Sequence, residues 1–241
     1  MEPYYNENGY FEAEIEEKEP LPTYMAKTFG WMCLGLLTTF AVAIAMCAGY
    51  INFMLPSFFY SGAFPFIILI AEVVVVIALS ARMQKMSPNA VRVMFFLYAA
   101  LNGVTFSVIF LAYNVMTLVL VFGMTMLYFG GMALYGYLTK TDLTKFGPLL
   151  FGGVLVLGVF WLLSMFLNLS GMETIMCIIG VVIFMAYTAF DVQRIKKFYT
   201  ASGEDGVLAQ KLSIYGALQL YLDFINLFLY LLRLFGRSSR N

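Results

Sequence analysis

Residues 218–236 read LQLYLDFINLFLYLLRLFG, an apolar stretch with a single acidic residue, Asp223, near its N-terminal end. A helix needs roughly 20 apolar residues to cross the hydrocarbon core of a bilayer, and this stretch approaches that length. The composition extends the argument to the whole chain, because 62% of its 241 residues are hydrophobic and only 12% are charged. A water-soluble domain is about 45–50% apolar and about 25% charged. The chain is therefore predicted to be an all-α integral membrane protein.

Seven apolar segments are long enough to be transmembrane helices. They are predicted at residues 28–50, 63–82, 90–112, 115–138, 148–169, 173–198 and 211–235. Three regions follow from this pattern: an acidic tail at 1–24, a seven-helix transmembrane domain at 25–236 and a short basic tail at 237–241. The acidic tail has too little apolar surface to fold and is predicted to be disordered.

Basic residues occur at alternate connections between the segments. The connections between helices 2 and 3, 4 and 5, and 6 and 7 carry or adjoin Lys and Arg, whereas the other three contain neither. Basic connections accumulate on the cytoplasmic side, which places the N-terminus there. Arg233, Arg237 and Arg240 break the pattern, because a spanning helix 7 puts the last two outside and a re-entrant one keeps them inside. The length of helix 7 favours spanning. We expect a bacterial plasma membrane, with the endoplasmic reticulum membrane as the alternative.

Three carboxylates lie within apolar segments and are candidates for function, because ionisable groups are costly inside a bilayer. They are Glu72 in helix 2, Asp191 in helix 6 and Asp223 in helix 7. On helix 7, Gln219, Asp223, Asn226 and Tyr230 are spaced four, three and four residues apart and form one polar stripe. A stripe facing lipid would leave its polar groups without partners, so it is predicted to face the bundle or a water-filled cavity. A purely structural role in helix packing remains the alternative.

Several classes of function are excluded or disfavoured. The chain contains no histidine, which excludes Ser-His-Asp catalysis and histidine-ligated zinc. No basic patch with interleaved aromatic residues suggests nucleic-acid binding. Intramembrane aspartyl proteases also place Asp on adjacent helices, but Phe190–Asp191 and Leu222–Asp223 lack the Tyr-Asp and Gly-x-Gly-Asp contexts of that class. The protein is therefore not expected to be an enzyme or to hold a cofactor.

Two stretches, AYTAFDVQRIKKFY at 186–199 and LYLDFINLFLYLLRLFG at 220–236, resemble the signature stretches of the Bax inhibitor family. The resemblance implies two three-helix layers around a central helix 7, and a calcium leak pathway controlled by pH. The paired aspartates of the family correspond to Asp191 and Asp223, and its ion-path glutamate corresponds to Glu72. Arg82 is the nearest match to a basic residue that pairs with the helix 6 aspartate as a latch.

The chemistry of these side chains fits that implication. Calcium prefers oxygen ligands, which Glu72, Asp191 and Asp223 offer. Two adjacent carboxyl groups that share a proton bridge helices 6 and 7, and losing the proton adds like-charge repulsion that releases them. Arg194, three residues after Asp191, is a second candidate latch. The predicted function is thus a pH-sensitive calcium leak channel, with calcium and protons as partners. The alternative is a non-conducting regulator that binds membrane proteins or proteases.

Overall fold

The computed structural model describes residues 19–49, 64–164, 166, 167, 169 and 171–236. Within these ranges the chain forms seven long helices and no strand. They are α1 (Leu21–Cys47), α2 (Phe64–Arg82), α3 (Pro88–Ala112), α4 (Val115–Leu138), α5 (Gly147–Ser164), α6 (Glu173–Ala201) and α7 (Gly206–Gly236). Short 3₁₀ helices, Met83–Lys85 and Leu143–Phe146, follow α2 and precede α5. The predicted all-α class and the number and order of the helices are confirmed.

The outer surface of the bundle is apolar. In the described part of the chain, six helices are long and apolar enough to cross a membrane: α1, α3, α4, α5 together with its 3₁₀ turn, α6 and α7. The side chains of Leu111 and Leu127 are 77% and 78% exposed. Such surfaces are unfavourable in water and favourable against lipid tails. The chain is an integral membrane protein.

The helices form two layers of three around α7. In the first layer α3 packs against both α1 and α2, and in the second α6 packs against both α4 and α5. α7 contacts α1, α3, α4 and α6, and its Leu220, Tyr221 and Leu227 have no exposed surface. The last helix of the described chain is therefore the central one, which confirms the architecture that the family resemblance implied.

A glycine brings two helices close together in each layer. A methyl group on Gly103 of α3 would lie 2.6 Å from Cβ of Val42 on α1. A methyl group on Gly136 of α4 would meet the backbone of Ala189 on α6. Small residues at helix contacts allow backbones to approach closely, which is a major source of packing energy inside a membrane. The layers are thus built around contacts that a larger side chain would break.

Three helix ends lie farthest from the predicted spans. α1 begins at Leu21, so the tail predicted at 1–24 is too long at its C-terminal end; residues 1–18 lie outside the described ranges. Pro22 suits the first turn of a helix, and Tyr24 and Met25 are buried against the bundle. α7 begins at Gly206 rather than 211, and α5 ends at Ser164 rather than 169. Hydropathy marks the part of a helix that faces lipid, whereas backbone hydrogen bonds and packing decide where it begins and ends.

One end of the bundle gathers the basic connections and the start of α1. Tyr199 Oη donates to the carbonyl oxygen of Glu19 at 2.7 Å, which joins the end of α6 to the start of α1. Gln193 Nε2 donates to the carbonyl oxygen of Thr141 at 2.8 Å, which joins α6 to the α4–α5 connection. The basic connections that alternate along the sequence therefore share one end of the molecule.

Candidate functional site

Asp191 and Asp223 meet at the contact between α6 and α7. Their side chains are only 4% and 3% exposed, and the two carboxyl groups lie within hydrogen-bonding reach of each other. An ionised carboxylate can only accept hydrogen bonds, so two carboxyl groups bond directly only when one of them carries a proton. The two carboxyl groups therefore adjoin where α6 of the second layer packs against the central helix.

The pair is incompletely satisfied by the protein. Asp191 Oδ1, Asp223 Oδ2 and Gln219 Oε1 are buried and have no hydrogen-bond donor among the described residues. Gln219 precedes Asp223 by one helical turn, so its amide lies beside the pair along α7. Buried polar atoms are normally hydrogen-bonded, and each exception calls for an explanation such as a proton, a water or an ion. Three oxygen acceptors without donors suit a cation or a hydrated proton.

The polar stripe borders a partly open face of α7. Between residues 211 and 230 of α7, the side chains that remain partly exposed are spaced three or four residues apart: Lys211, Tyr215, Gln219, Leu222, Asn226 and Leu229. Asn226 Nδ2 donates to the carbonyl oxygen of Leu222 at 2.8 Å, and Tyr230 Oη accepts from Trp161 Nε1 at 3.0 Å. The stripe therefore runs beside the carboxyl pair through the middle of the central helix.

Glu72 lies apart from the aspartate pair. It is partly buried on α2 and accepts a hydrogen bond from Thr105 Oγ1 of α3 at 2.7 Å. The carboxyl group of Glu72 lies close enough to Tyr221 for the two to interact electrostatically. Because Tyr221 precedes Asp223 by two residues, these two side chains point to different sides of α7. No group of three or more Cys, Asp or Glu side chains in the described ranges could jointly hold a metal ion. The structure brings Asp191 and Asp223 together, and the role of Glu72 as a third calcium ligand stays a prediction.

Neither candidate latch residue forms an ion pair with Asp191. Arg194 lies close enough to influence the charge of Asp191, but its guanidinium is placed 5.4 Å from the ring centre of Phe198. Arg82 is exposed at the end of α2. The ion pairs found among the described residues are Lys27–Glu19 and Lys197–Asp142. The latch stays a prediction for both arginines.

A hydrogen-bonded cluster on the other side of α7 was not predicted. The hydroxyl groups of Tyr221 and Thr39 are 2.7 Å apart, and Thr39 Oγ1 also donates to the carbonyl oxygen of Ala99 at 2.9 Å. The cluster joins α7, α1 and α3 in the middle of the first layer. A threonine and a tyrosine in apolar segments were the available signals, but both residue types are too common there to single out.

The fold and this site define a class of protein: a polytopic membrane protein with an acidic pair buried against its central helix. The profile of the family described as "Inhibitor of apoptosis-promoting Bax1" matches residues 21–240, and the chain belongs to this family, the Bax inhibitor family. The family assignment drawn from the two signature stretches is confirmed.

Bacterial relatives cover nearly the whole chain. The inner membrane protein YbhL of Escherichia coli K12 is 39% identical over 223 residues, which are 92% of this chain and 94% of that protein. An uncharacterised protein of Borreliella burgdorferi is 40% identical over 219 residues, 90% of this chain and 93% of its own length. The family match at residues 21–240 includes all seven helices.

Proposed function

We propose that this protein is a pH-sensitive calcium leak channel whose gate is the Asp191–Asp223 pair. The observation that carries the proposal is the pair itself: two buried carboxyl groups in contact, each with an oxygen that lacks a donor among the described residues. Burying two such groups is costly for stability and is typical of sites where protons or ions bind.

The closed state holds one proton between the two carboxyl groups. The shared hydrogen bond joins α6 to α7, which share the most extensive helix contact in the described structure. When the proton leaves, two negative charges about 4 Å apart repel by about 4 kcal/mol at an effective dielectric constant of about 20. A change of this size is sufficient to shift a two-state helix contact strongly. The positive charge of Arg194, close to Asp191, offsets part of this repulsion.

The ion path follows the partly open face of α7. Gln219, Asn226 and Tyr230 extend over 11 residues of helix, which is about 17 Å at about 1.5 Å per residue. A calcium ion moving along this face exchanges water for the side-chain oxygens of Gln219 and of the opened carboxyl pair. Glu72 contributes a further acidic position on the α2 side of the path.

The orientation and location follow the same reasoning. The basic connections and the start of α1 share one end of the bundle, and the positive-inside tendency assigns that end to the cytoplasm. The E. coli relative is named an inner membrane protein. We therefore assign this protein to a bacterial plasma membrane with its N-terminus in the cytoplasm.

The test is calcium flux against pH in liposomes containing the purified protein. Asp191→Asn and Asp223→Asn cannot share and release a proton as the native pair does, so each should flatten the pH dependence. The double variant should resemble the single variants, because members of one coupled unit are not additive. Asp205→Asn, the same substitution in the exposed α6–α7 connection, is the matched control and should keep the native profile.

Two outcomes would overturn the proposal. If both single variants keep the native pH profile, the pair is not the gate and its role is structural. If the native protein conducts no calcium above empty liposomes at any pH, the protein is not a leak channel, and a non-conducting regulator becomes the better description.

A further inference from the structure

A polar cavity of about 570 Å³ lies at the end of the bundle opposite the basic connections. Trp161 of α5 and Arg233 of α7 line one side, and the first turns of α4 and α6 contribute Thr117 and Thr174 to the other. The volume falls within the range of small-molecule sites, about 300–1,000 Å³. None of its lining residues belongs to the carboxyl pair, so the cavity requires a separate explanation.

The planar guanidinium of Arg233 lies against the indole ring of Trp161. The guanidinium carbon lies 3.6 Å from the ring centre of Trp161, and the indole is itself held by its hydrogen bond to Tyr230 Oη. Arg233 makes no hydrogen bond or ion pair with any residue that the structure describes. A guanidinium carries five N–H donors in a planar fork, and stacking leaves the edge of that fork available. The side chain is thus positioned without its donors being used by the protein.

A second arginine–tryptophan pair in the same chain shows the contrast. Arg92 lies 5.3 Å from the ring centre of Trp31, but its Nη1 donates to Asn89 Oδ1 at 3.2 Å and its Nη2 to Gln210 Oε1 at 3.3 Å. Arg92 therefore joins elements of the protein, whereas Arg233 presents the same stacked fork to a cavity. Within the described structure, the donors of Arg233 are therefore available to a ligand in the cavity.

The charged groups around the cavity indicate the chemical class of its ligand. The N-termini of α4 and α6, helices of 24 and 29 residues, border it and add positive potential to that of Arg233. Glu173, in the first turn of α6, offsets part of this potential. A group with one negative charge and several oxygens suits this balance better than a multiply charged anion. Trp161 and Arg233 lie near the ends of their helices, the part of a spanning helix where tryptophan is enriched at the membrane–water interface.

We propose that this cavity binds a phosphate group, presented as the singly charged phosphodiester of a lipid headgroup, through the edge of the Arg233 guanidinium. The contact is a charge-assisted, bidentate pairing of the kind that arginine forms with phosphate oxygens. Free inorganic phosphate has the same chemistry, and the experiment separates the two sources. The proposal goes beyond the calcium leak and does not depend on it.

Tryptophan fluorescence offers a direct test, because the chain contains only two tryptophans. In the Trp31→Phe background Trp161 is the sole reporter and lies under Arg233. The protein, stripped of lipid in a non-ionic detergent, is titrated with short-chain phosphatidylglycerol, with diacylglycerol of the same chains and with inorganic phosphate. We expect a saturable change with phosphatidylglycerol and none with diacylglycerol.

Variants of Arg233 decide whether the site is the one proposed. Arg233→Gln should weaken the phosphatidylglycerol response about tenfold or more, and Arg233→Lys should be intermediate because it keeps the charge and loses the fork. Arg233→Lys also carries the test if Arg233→Gln fails to fold. In the reciprocal control variant, Trp161→Phe, the remaining tryptophan is Trp31 beside Arg92, and its fluorescence should not respond to phosphatidylglycerol.

Each outcome has a defined meaning. A response to phosphatidylglycerol alone identifies the lipid, and one to both phosphate probes supports the phosphate site with either source. A response to inorganic phosphate alone overturns the lipid assignment. An equal response to diacylglycerol, an unchanged response in both Arg233 variants, or no saturable response to either phosphate probe overturns the proposal.

Discussion

The ring of Tyr230 on α7 lies directly against the backbone of Gly180 on α6, so that a methyl group on Gly180 would come 2.6 Å from two of its carbons. The same ring stacks on Phe184 with the ring centres 5.7 Å apart. Tyr230 follows Asp223 by two helical turns on the same side of α7. The glycine therefore sets the distance between the two helices that carry the carboxyl pair.

Gly180→Ala should destabilise the protein. The added methyl group must push α6 and α7 apart or displace the Tyr230 ring, and overpacking of this kind costs about 1–3 kcal/mol. The unfolding temperature in detergent measures this loss of stability. Gly130→Ala is the matched control, since a methyl group there meets no atom within 4 Å and the substitution should be neutral or stabilising by up to about 1 kcal/mol. Equal unfolding temperatures for the two variants would show that the contact does not limit packing.

Tyr221→Phe should weaken the joint between α7 and α1. Because Thr39 uses its own hydrogen to reach the carbonyl oxygen of Ala99, Tyr221 is the donor in the 2.7 Å bond between their hydroxyl groups. Removing this donor should lower the free energy of unfolding by about 0.5–1.5 kcal/mol. A double-mutant cycle with Thr39→Val measures the coupling of the two hydroxyl groups, and strictly additive effects would exclude the bond.

Glu72→Gln should lower calcium flux while the protein stays folded. The amide oxygen of glutamine can still accept the hydrogen bond from Thr105, so the substitution removes the charge and largely preserves the contact. Thr105→Val is the companion variant, because it keeps the carboxylate and removes its hydrogen-bond donor. Flux in liposomes and the elution profile in detergent are the two measurements. Unchanged flux in Glu72→Gln would remove this residue from the ion path.

Asp142 should stabilise the α4–α5 connection in its ionised form. Hydrogen bonds from the hydroxyl and backbone N–H of Thr144, together with Lys197, lower the pKa of Asp142 from 3.8 to about 2. Because the pKa is lower in the folded protein, the stabilisation is complete above the ordinary value of 3.8 and is lost as the pH falls towards about 2. Asp142→Asn should therefore lower the unfolding temperature slightly at neutral pH.

The difference in unfolding temperature between Asp142→Asn and the native protein should decrease below about pH 4, where the carboxylate becomes protonated. It should also decrease in high salt, because the exposed carboxylate is screened. Unfolding temperatures measured across that range test the point. A difference that stays constant down to pH 3 would indicate that the charge of Asp142 is not responsible.

Helix 7 should place the residues that follow it outside the cell. α7 runs unbroken for 31 residues, about 46 Å, whereas a re-entrant segment requires a break. The test is a cysteine at Ser238, just beyond the described residues, in a protein whose native cysteines are replaced. An impermeant thiol reagent should label it in intact cells. Labelling only after permeabilisation would show that the chain returns to the cytoplasm.

The helices could be predicted from the sequence because membrane insertion depends mainly on local composition. Seven apolar segments gave seven helices, and the pairing of Asp191 with Asp223 agrees with two acidic residues on consecutive helices. Composition does not indicate which helices contact each other. The layers and the central position of α7 therefore came from the family resemblance, and only the structure supplied the contacts of individual side chains.

The parts that could not be predicted depend on rotation of one helix against another. Glu72 accepts a hydrogen bond from Thr105 of α3, and a single sequence contains no measure of the helix rotation that brings these two residues together. Arg194 and Arg233 both lie near acidic or aromatic residues, but stacking with Phe198 and Trp161 rather than an ion pair decides their positions. These choices depend on contacts between residues that are distant in the chain.

The central helix is synthesised after the six helices that surround it. Until α7 enters the membrane, Phe95 and Ile195, which have no exposed surface in the finished bundle, lack the helix against which they pack. Asp191 likewise lacks its carboxyl partner, and an unpaired acidic side chain is costly in lipid. The first six helices alone therefore cannot form the packing around α7 that the finished bundle has. The bundle can therefore be completed only after α7 has been inserted.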